Sequence, residues 1–228
     1  MAVKIGNITR DFKYPGFAVN SNLLLFLLQL CLFCMIDQLL SWDREVFFAI
    51  NQGLSNAVFD WLMPILRNKY AWAPLYLFII VFCIRNYKRK GIAVILFILI
   101  TFGISDHISS SVIKNSVQRV RPCRDVELKD DIIVRVNCSG GYSFTSSHAT
   151  NHFAMAVFLI LVFYRRWKHI LWIGLLWAGA ISFAQVYVGV HYPLDIICGA
   201  ILGTLIGCLT GLLFRFIIPD LTPAIKAS

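Results

Sequence analysis

Charge is what this sequence has least of. Asp, Glu, Lys and Arg make up 14% of its 228 residues, against roughly 25% in a soluble domain. With a mean hydropathy of +0.72, that deficit excludes an ordinary water-soluble globule. Acidic residues are scarcer still, 12 against 21 basic ones, for a net charge of +9. No basic stripe lies on a soluble segment, so a nucleic-acid partner is not expected. Topology signalling and lipid headgroup contact account for the positive charge instead. Internal repeats and low-complexity tracts are lacking, and nothing points to an obligate protein partner. The first 20 residues are too polar for a signal peptide, and no small-x-small cleavage site follows the first apolar run.

What the chain has in abundance is long apolar runs, 58% of its residues being hydrophobic. A spanning helix needs about 20 such residues. The pattern predicts an all-α integral membrane domain over 1–228, with about six spans near 23–40, 68–86, 91–113, 148–165, 170–190 and 194–218. The second is short of apolar residues and contains Pro74. Residues 41–67 mix apolar and polar side chains at helical spacing around the turn signal NQGLSN, and read as two short amphipathic helices on the interface. Residues 114–147 form the longest polar loop, where the alternation in DIIVRVN suggests a short hairpin.

Four basic groups fall on one side of such a bundle: Lys4, Arg10 and Lys13; Arg85, Lys88, Arg89 and Lys90; Arg165, Arg166 and Lys168; and Arg215 with Lys226. By the positive-inside rule that side is cytoplasmic, with both termini on it, in an inner (cytoplasmic) membrane. The loop 114–147 and the turn 190–194 then face the periplasm or exterior. An oxidising compartment there allows a disulfide between Cys123 and Cys138. Cys31 and Cys34 sit inside an apolar span and read as core residues.

Polar groups at membrane depth are costly and mark function. Three clusters converge on the outer ends of the spans: 105–122, 143–152 and 184–195. Lys114 and Arg121, with Arg119 and Arg124 as further candidates, suit phosphate oxygens. Ser146 and Ser147 open a helix, where hydroxyls and free N–H groups favour an anion. His148 and His191 are candidates for acid, base or nucleophile. Asp195 follows His191 by four residues and reaches back to hold its tautomer. These residues suit phosphate-ester chemistry at a membrane surface. The spacing of His148 and His152 also permits zinc, but the surrounding basic residues oppose a cation; no metal and no cofactor is expected. His107 shares a helical stripe with Lys114 and is a candidate supporting residue.

These residues resemble the three signature segments of the type-2 phosphatidic-acid phosphatase family, relatives of the vanadium haloperoxidases. They are Lys114 to Arg121-Pro122, then Thr145-Ser146-Ser147-His148, then Gln185 to His191 to Asp195. The resemblance implies metal-free phosphoryl transfer through a phosphohistidine. His191 would be the nucleophile, Asp195 its orienting partner and His148 the acid and base. Lys114, Arg121, Ser146 and Ser147 would bind the phosphoryl oxygens. Ser147 replaces the family's glycine and Thr145 its proline. Gln185 stands where the family has a phosphate-gripping arginine. Either Arg119 or Arg124 compensates, or turnover is slower, or the chain is not an enzyme. Expected substrates are undecaprenyl diphosphate, phosphatidylglycerol phosphate, phosphatidic acid or lipid A phosphates. A short-looped chain looks most like the bacterial members and leans toward the first two. The alternatives are a weakened relative that binds or transports lipid phosphates, and a lipid-to-lipid phosphotransferase.

Overall fold

The computed structural model describes residues 21–128 and 130–221. The basic residues Lys4, Arg10, Lys13, Lys129 and Lys226 lie outside them. Two compact units divide at Ser41 and Trp42. In the first, the described part is the start of helix α1 (Ser21–Asn51). The second holds the end of α1 and everything after it.

Among the described residues the second unit is all helix and loop, with no strand. It contains α2 (Ala57–Arg67), α3 (Ala73–His107), α5 (Ser147–Phe163), α6 (Ile170–Tyr187) and α7 (Pro193–Ile217). The end of α3 runs on through a π-helical turn (Ile108–Ile113) into the short α4 (Lys114–Val117). Residues 41–67 are not two separate short helices. Their first half continues α1 to Asn51; only α2 is independent, capped by the Asn56 side chain, which accepts from the Phe59 N–H. No hairpin forms in 132–137, where the backbone is irregular and pairs with no strand.

Among the described residues, three stretches are long and apolar enough to cross a membrane: Lys69–Val117, Ile170–Tyr187 and Pro193–Ile217; Ser147–Phe163 is a shorter apolar helix. Their outward side chains are large and greasy. Leu77, Phe78, Leu99, Ile173, Leu176, Leu209 and Phe216 are all exposed, a belt that water would not tolerate and lipid covers. The protein is membrane-embedded.

The first of these stretches is folded back on itself. Lys88 has φ 51° and ψ −124°, which no helix accepts. A Cβ built on Gly91 would lie 1.9 Å from the Cys83 carbonyl oxygen. In an unbroken helix, eight residues rise about 12 Å. The chain therefore reverses inside the basic run RNYKRK, and residues 73–87 and 89–117 form a helical hairpin. Pro74 sits at the start of its first arm, where a missing N–H costs nothing.

The bundle centre is α5 against α7. Gly199, Gly203, Gly207 and Gly211 repeat every four residues along one stripe of α7. A Cβ on Gly203 would be 2.2 Å from the Thr150 carbonyl oxygen, and one on Gly207 2.4 Å from that of Ala154. The backbones touch where side chains would hold them apart, the usual basis of small-residue packing in membranes. Buried polar rungs tie α3 to both helices. Thr101 Oγ1 donates to Thr210 Oγ1 at 2.9 Å, and Ser105 Oγ donates to Asn151 Oδ1 at 2.7 Å.

Candidate active site

The site is built where α5 begins and where α6 turns into α7. Two backbone N–H groups, of Val190 and His191, point back to the Gln185 carbonyl at 3.2 and 3.3 Å. Gly189, at φ +87°, supplies the left-handed step that makes this reversal. The turn delivers His191 into the core, 2% exposed, while Pro193 starts α7.

His191 is held at both ring nitrogens. Arg121 Nη1 lies 3.0 Å from Nε2, and Asp195 Oδ2 lies 3.3 Å from Nδ1. A guanidinium only donates, so Nε2 carries the lone pair and the ring proton sits on Nδ1, toward Asp195. Burial pushes the imidazole down to about 4, against the opposing pull of Asp195. At neutral pH the ring is uncharged, with its lone pair directed at a positive group.

Asp195 is fully buried and fully engaged. Its Oδ2 accepts from the Tyr192 N–H at 2.9 Å and from a short contact with Ser143 Oγ; its Oδ1 accepts from Arg119 Nη1 at 2.8 Å. Arg119 reaches with its other nitrogen to Asp43 Oδ2 at 2.5 Å and stacks on the Tyr192 ring, 4.0 Å to its centroid. Asp43 closes the circuit by accepting from the Leu194 N–H at 2.7 Å. Burial works against the Arg119 charge, but the two carboxylates outweigh it and raise its pKa.

The polar loop is anchored by side-chain contacts to the helices. Asn51 donates to the Ile133 and Tyr187 carbonyls and accepts from the Ile133 N–H, standing in for a neighbouring strand. Arg135 pairs closely with Asp60 and stacks on Tyr187 at 4.1 Å. A disulfide joins Cys123 to Cys138, Cα atoms 6.0 Å apart. Arg121 leaves this loop to reach His191, also donating to the Val190 and Gly141 carbonyls. Burial lowers its pKa, partly offset by Asp195.

The predicted residues divide into those brought together and those not. His191, Asp195 and Arg121 are in direct contact. The Lys114 ammonium makes no hydrogen bond among the described residues, yet its charge acts on His191 and Asp195. His148, at the first turn of α5, stacks parallel to His152 at 6.1 Å between ring centroids and lies within electrostatic reach of His191. Ser146 uses its hydroxyl to cap α5, at 3.5 Å from the Ala149 N–H. Ser147 bonds back to Ser109 and Ser110 of the π turn at 3.1 and 2.8 Å.

Arg119 does not stand ready for phosphate, because two carboxylates hold it. Arg124 is exposed in the loop. His107 is exposed and outside the network; one residue earlier, Asp106 takes the supporting contacts, accepting from Asn151 at 2.9 Å and Ser110 at 3.3 Å. His152 spends its ring on the His148 carbonyl, 2.7 Å, and the Tyr76 hydroxyl, 3.4 Å. Ser143 stood in the 143–152 cluster with no role of its own, and Asp43, a polar residue at membrane depth in the sequence, had no place in that site. The only signal for Asp43 was an acid just past an apolar run.

A groove of about 650 Å³ opens beside His148, between the two arms of the hairpin and α5. Ser147, Asp106 and His148 mark its polar end; Ile79, Ile98, Phe102 and Leu159 line the rest.

A helical membrane bundle with a buried His–Asp pair beside Arg121 and Lys114 fits a class of membrane phosphatase. Residues 91–218 match the PAP2 superfamily, and the chain belongs to it. The lipid A 4'-phosphatase of Bacteroides thetaiotaomicron is 33% identical over 196 residues, covering 85% of this chain and 84% of that one. The undecaprenyl-diphosphatase of Sulfolobus acidocaldarius is 30% identical, covering 76% and 79%. Among solved structures, the phosphatidylglycerolphosphate phosphatase of Bacillus subtilis shares the fold with a TM-score of 0.64 and 23% identity, over 86% of this chain and 96% of that one. LpxE of Aquifex aeolicus gives 0.56 at 25% identity, over 73% and 93%. The chain is an enzyme of this superfamily, a phosphatase acting on lipid phosphates.

Proposed function

We propose that the protein removes a phosphate from a lipid anchored in the membrane through a phosphohistidine at His191. The observation that carries this is the orientation of the ring: Nδ1 toward Asp195, and Nε2, with its lone pair, toward Arg121. A phosphoryl group seated against Arg121 and Lys114 would meet Nε2. The Nε2–P bond forms as the ester or anhydride P–O bond breaks, and the electron pair leaves with the oxygen. His148, protonated on binding the phosphate dianion, gives its proton to that oxygen, then takes one from the water that cleaves the phosphohistidine. Asp195, held by Arg119, balances the positive charge that His191 gains. Charge spreading over phosphoryl oxygens rewards such fixed cations. The reaction needs no metal on this reading.

The groove beside His148 suits the lipid tail, putting headgroup and catalytic groups at one level. We read six passes, counting α1, the two hairpin arms, α5, α6 and α7. The cytoplasmic side is the one with the basic turn at 85–90, and the site faces the periplasm or exterior of an inner membrane. Similarity along most of the chain to a lipid A 4'-phosphatase makes the lipid A 4'-phosphate the first substrate to test. Undecaprenyl diphosphate is the second, on the evidence of the archaeal relative.

Purified protein in detergent with EDTA is expected to release phosphate from lipid A and, at lower kcat/KM, from undecaprenyl diphosphate. A phosphate ester without a long chain should show a much higher KM. The His191→Ala variant is expected to release none. No release from any lipid phosphate, or undiminished release by His191→Ala, would overturn the reading.

A further inference from the structure

Among the described residues, Gln185 and Arg67 near the site hold buried polar atoms with no hydrogen-bond partner. Gln185 is fully buried, and neither its amide oxygen nor its amide nitrogen makes a hydrogen bond. Arg67, at the end of α2, has a buried Nε with no acceptor and no ion pair among the described residues. Of the other guanidiniums around the site, Arg119 is held by two carboxylates, Arg135 by Asp60 and Arg121 by His191 and two carbonyls, while Arg124 is exposed in the loop.

Arg67 is aimed by its helix. Met63, one turn earlier on the same stripe, is buried against Ala184, Tyr187, Val188 and Val190, the residues flanking Gln185 and leading to His191. Trp72 Nε1 donates to the Leu66 carbonyl at 2.7 Å and fixes the end of α2. The charge on Arg67 is felt at Arg121 and at His148. A half-buried guanidinium whose charge reaches another guanidinium and an imidazole is unfavourable unless an anion joins them. Arg67, Arg121 and Lys114 bring three cations toward the site, against the one net negative charge left when Arg119 pairs with both Asp43 and Asp195, and against Asp106 facing Lys114.

We propose that Arg67 is a phosphate-binding residue of this site, supplying from α2 the guanidinium that α6 lacks at Gln185. The neutral amide at 185 then has a physical reason. An arginine there, beside Arg67 and Arg121, would crowd a third guanidinium into one buried pocket. This assignment rests on the phosphohistidine reading for its catalytic meaning, but anion binding tests it separately.

The experiment uses full-length protein in detergent, with orthovanadate as the phosphate probe, read as a thermal shift, and with lipid phosphate turnover alongside. Wild type is expected to be stabilised by vanadate. Arg67→Ala should lose that shift and about 100-fold in kcat/KM, the usual effect of removing one charged donor from a developing oxyanion. Arg67→Lys should recover part of both. Gln185→Arg alone should lower kcat/KM, whereas the double variant Arg67→Ala, Gln185→Arg should regain at least tenfold over Arg67→Ala, which a merely structural role would not produce. Vanadate binding that depends on Arg67 without turnover on any lipid would sink the phosphatase reading and leave this assignment standing. Shifts and kcat/KM within twofold of wild type in Arg67→Ala would overturn it, as would a wild type that vanadate does not stabilise.

Discussion

Arg119 Nη1 stands 2.8 Å from Asp195 Oδ1, on the side of the carboxylate opposite His191. This pair decides what Arg119 does. It is a basic residue in a phosphatase loop, and its sequence position suggested a phosphate contact. The structure spends its whole fork on Asp195 and Asp43 and stacks its plane on Tyr192. On the proposed mechanism it is a positioning residue, acting on phosphate only through the carboxylate and imidazole it steadies.

Replacing Arg119 by alanine leaves two buried carboxylates uncompensated. Breaking such a pair from one side costs about 3 kcal/mol or more, so the protein should melt at a lower temperature. Loss of a partner standing behind a histidine costs roughly 10- to 100-fold in metal sites, and a similar fall is expected here in kcat. KM should stay within a few-fold, since Arg119 touches no substrate. Arg119→Lys, which cannot fork to both carboxylates, should recover little of the rate. A variant whose KM rises a hundredfold with kcat intact would show that Arg119 binds phosphate after all.

The buried His191 ring gives a signed pH dependence. Its folded pKa, about 4, lies below the ordinary 6.5 of an exposed histidine because burial disfavours the charged form. Between those values the unfolded chain binds the extra proton, so this group's contribution to stability rises with pH. It is complete above about 6.5 and falls away as pH drops toward 4. The proposed nucleophile stays neutral through the physiological range. NMR of histidine-labelled protein in detergent, with His191→Gln assigning the signal, should show no titration of His191 above pH 5. A midpoint near 6.5 would refute the buried neutral ring.

Much of this could be read from the sequence because membrane and phosphate impose strong constraints. Apolar runs must be helices, and Lys114, Arg121, His148, His191 and Asp195 are spaced by chain-local geometry that a linear reading captures. Other features depend on contacts between distant segments, and those left no local trace. Asp43 is 76 residues from Arg119 and 151 from Leu194, its two partners. Arg67 looks like any basic residue at a helix end until α2 is laid against α6. The hairpin at Lys88 was legible as a basic loop between two apolar runs, but Gly91's close approach to Cys83 was not. The glycine stripe of α7 was present in the letters and went unread, because small residues give no amphipathic signal.

That stripe yields the last test. Gly203 meets the Thr150 backbone oxygen so closely that an added methyl, 2.2 Å away, must push α5 from α7. A backbone atom cannot swing aside as a side-chain end would, and the strain falls on the helix whose first turn carries His148. Overpacking of this kind costs about 1–3 kcal/mol. Gly179 in α6 is the internal control: an added Cβ there meets nothing within 4 Å, so Gly179→Ala should stay within about 0.5 kcal/mol of wild type. Thermal unfolding in one detergent should therefore show a clear drop for Gly203→Ala and none for Gly179→Ala. Activity of the folded Gly203→Ala fraction should fall as well, because displacing α5 moves His148 relative to His191. Equal melting temperatures for the two variants would mean that α5 and α7 are not packed backbone to backbone.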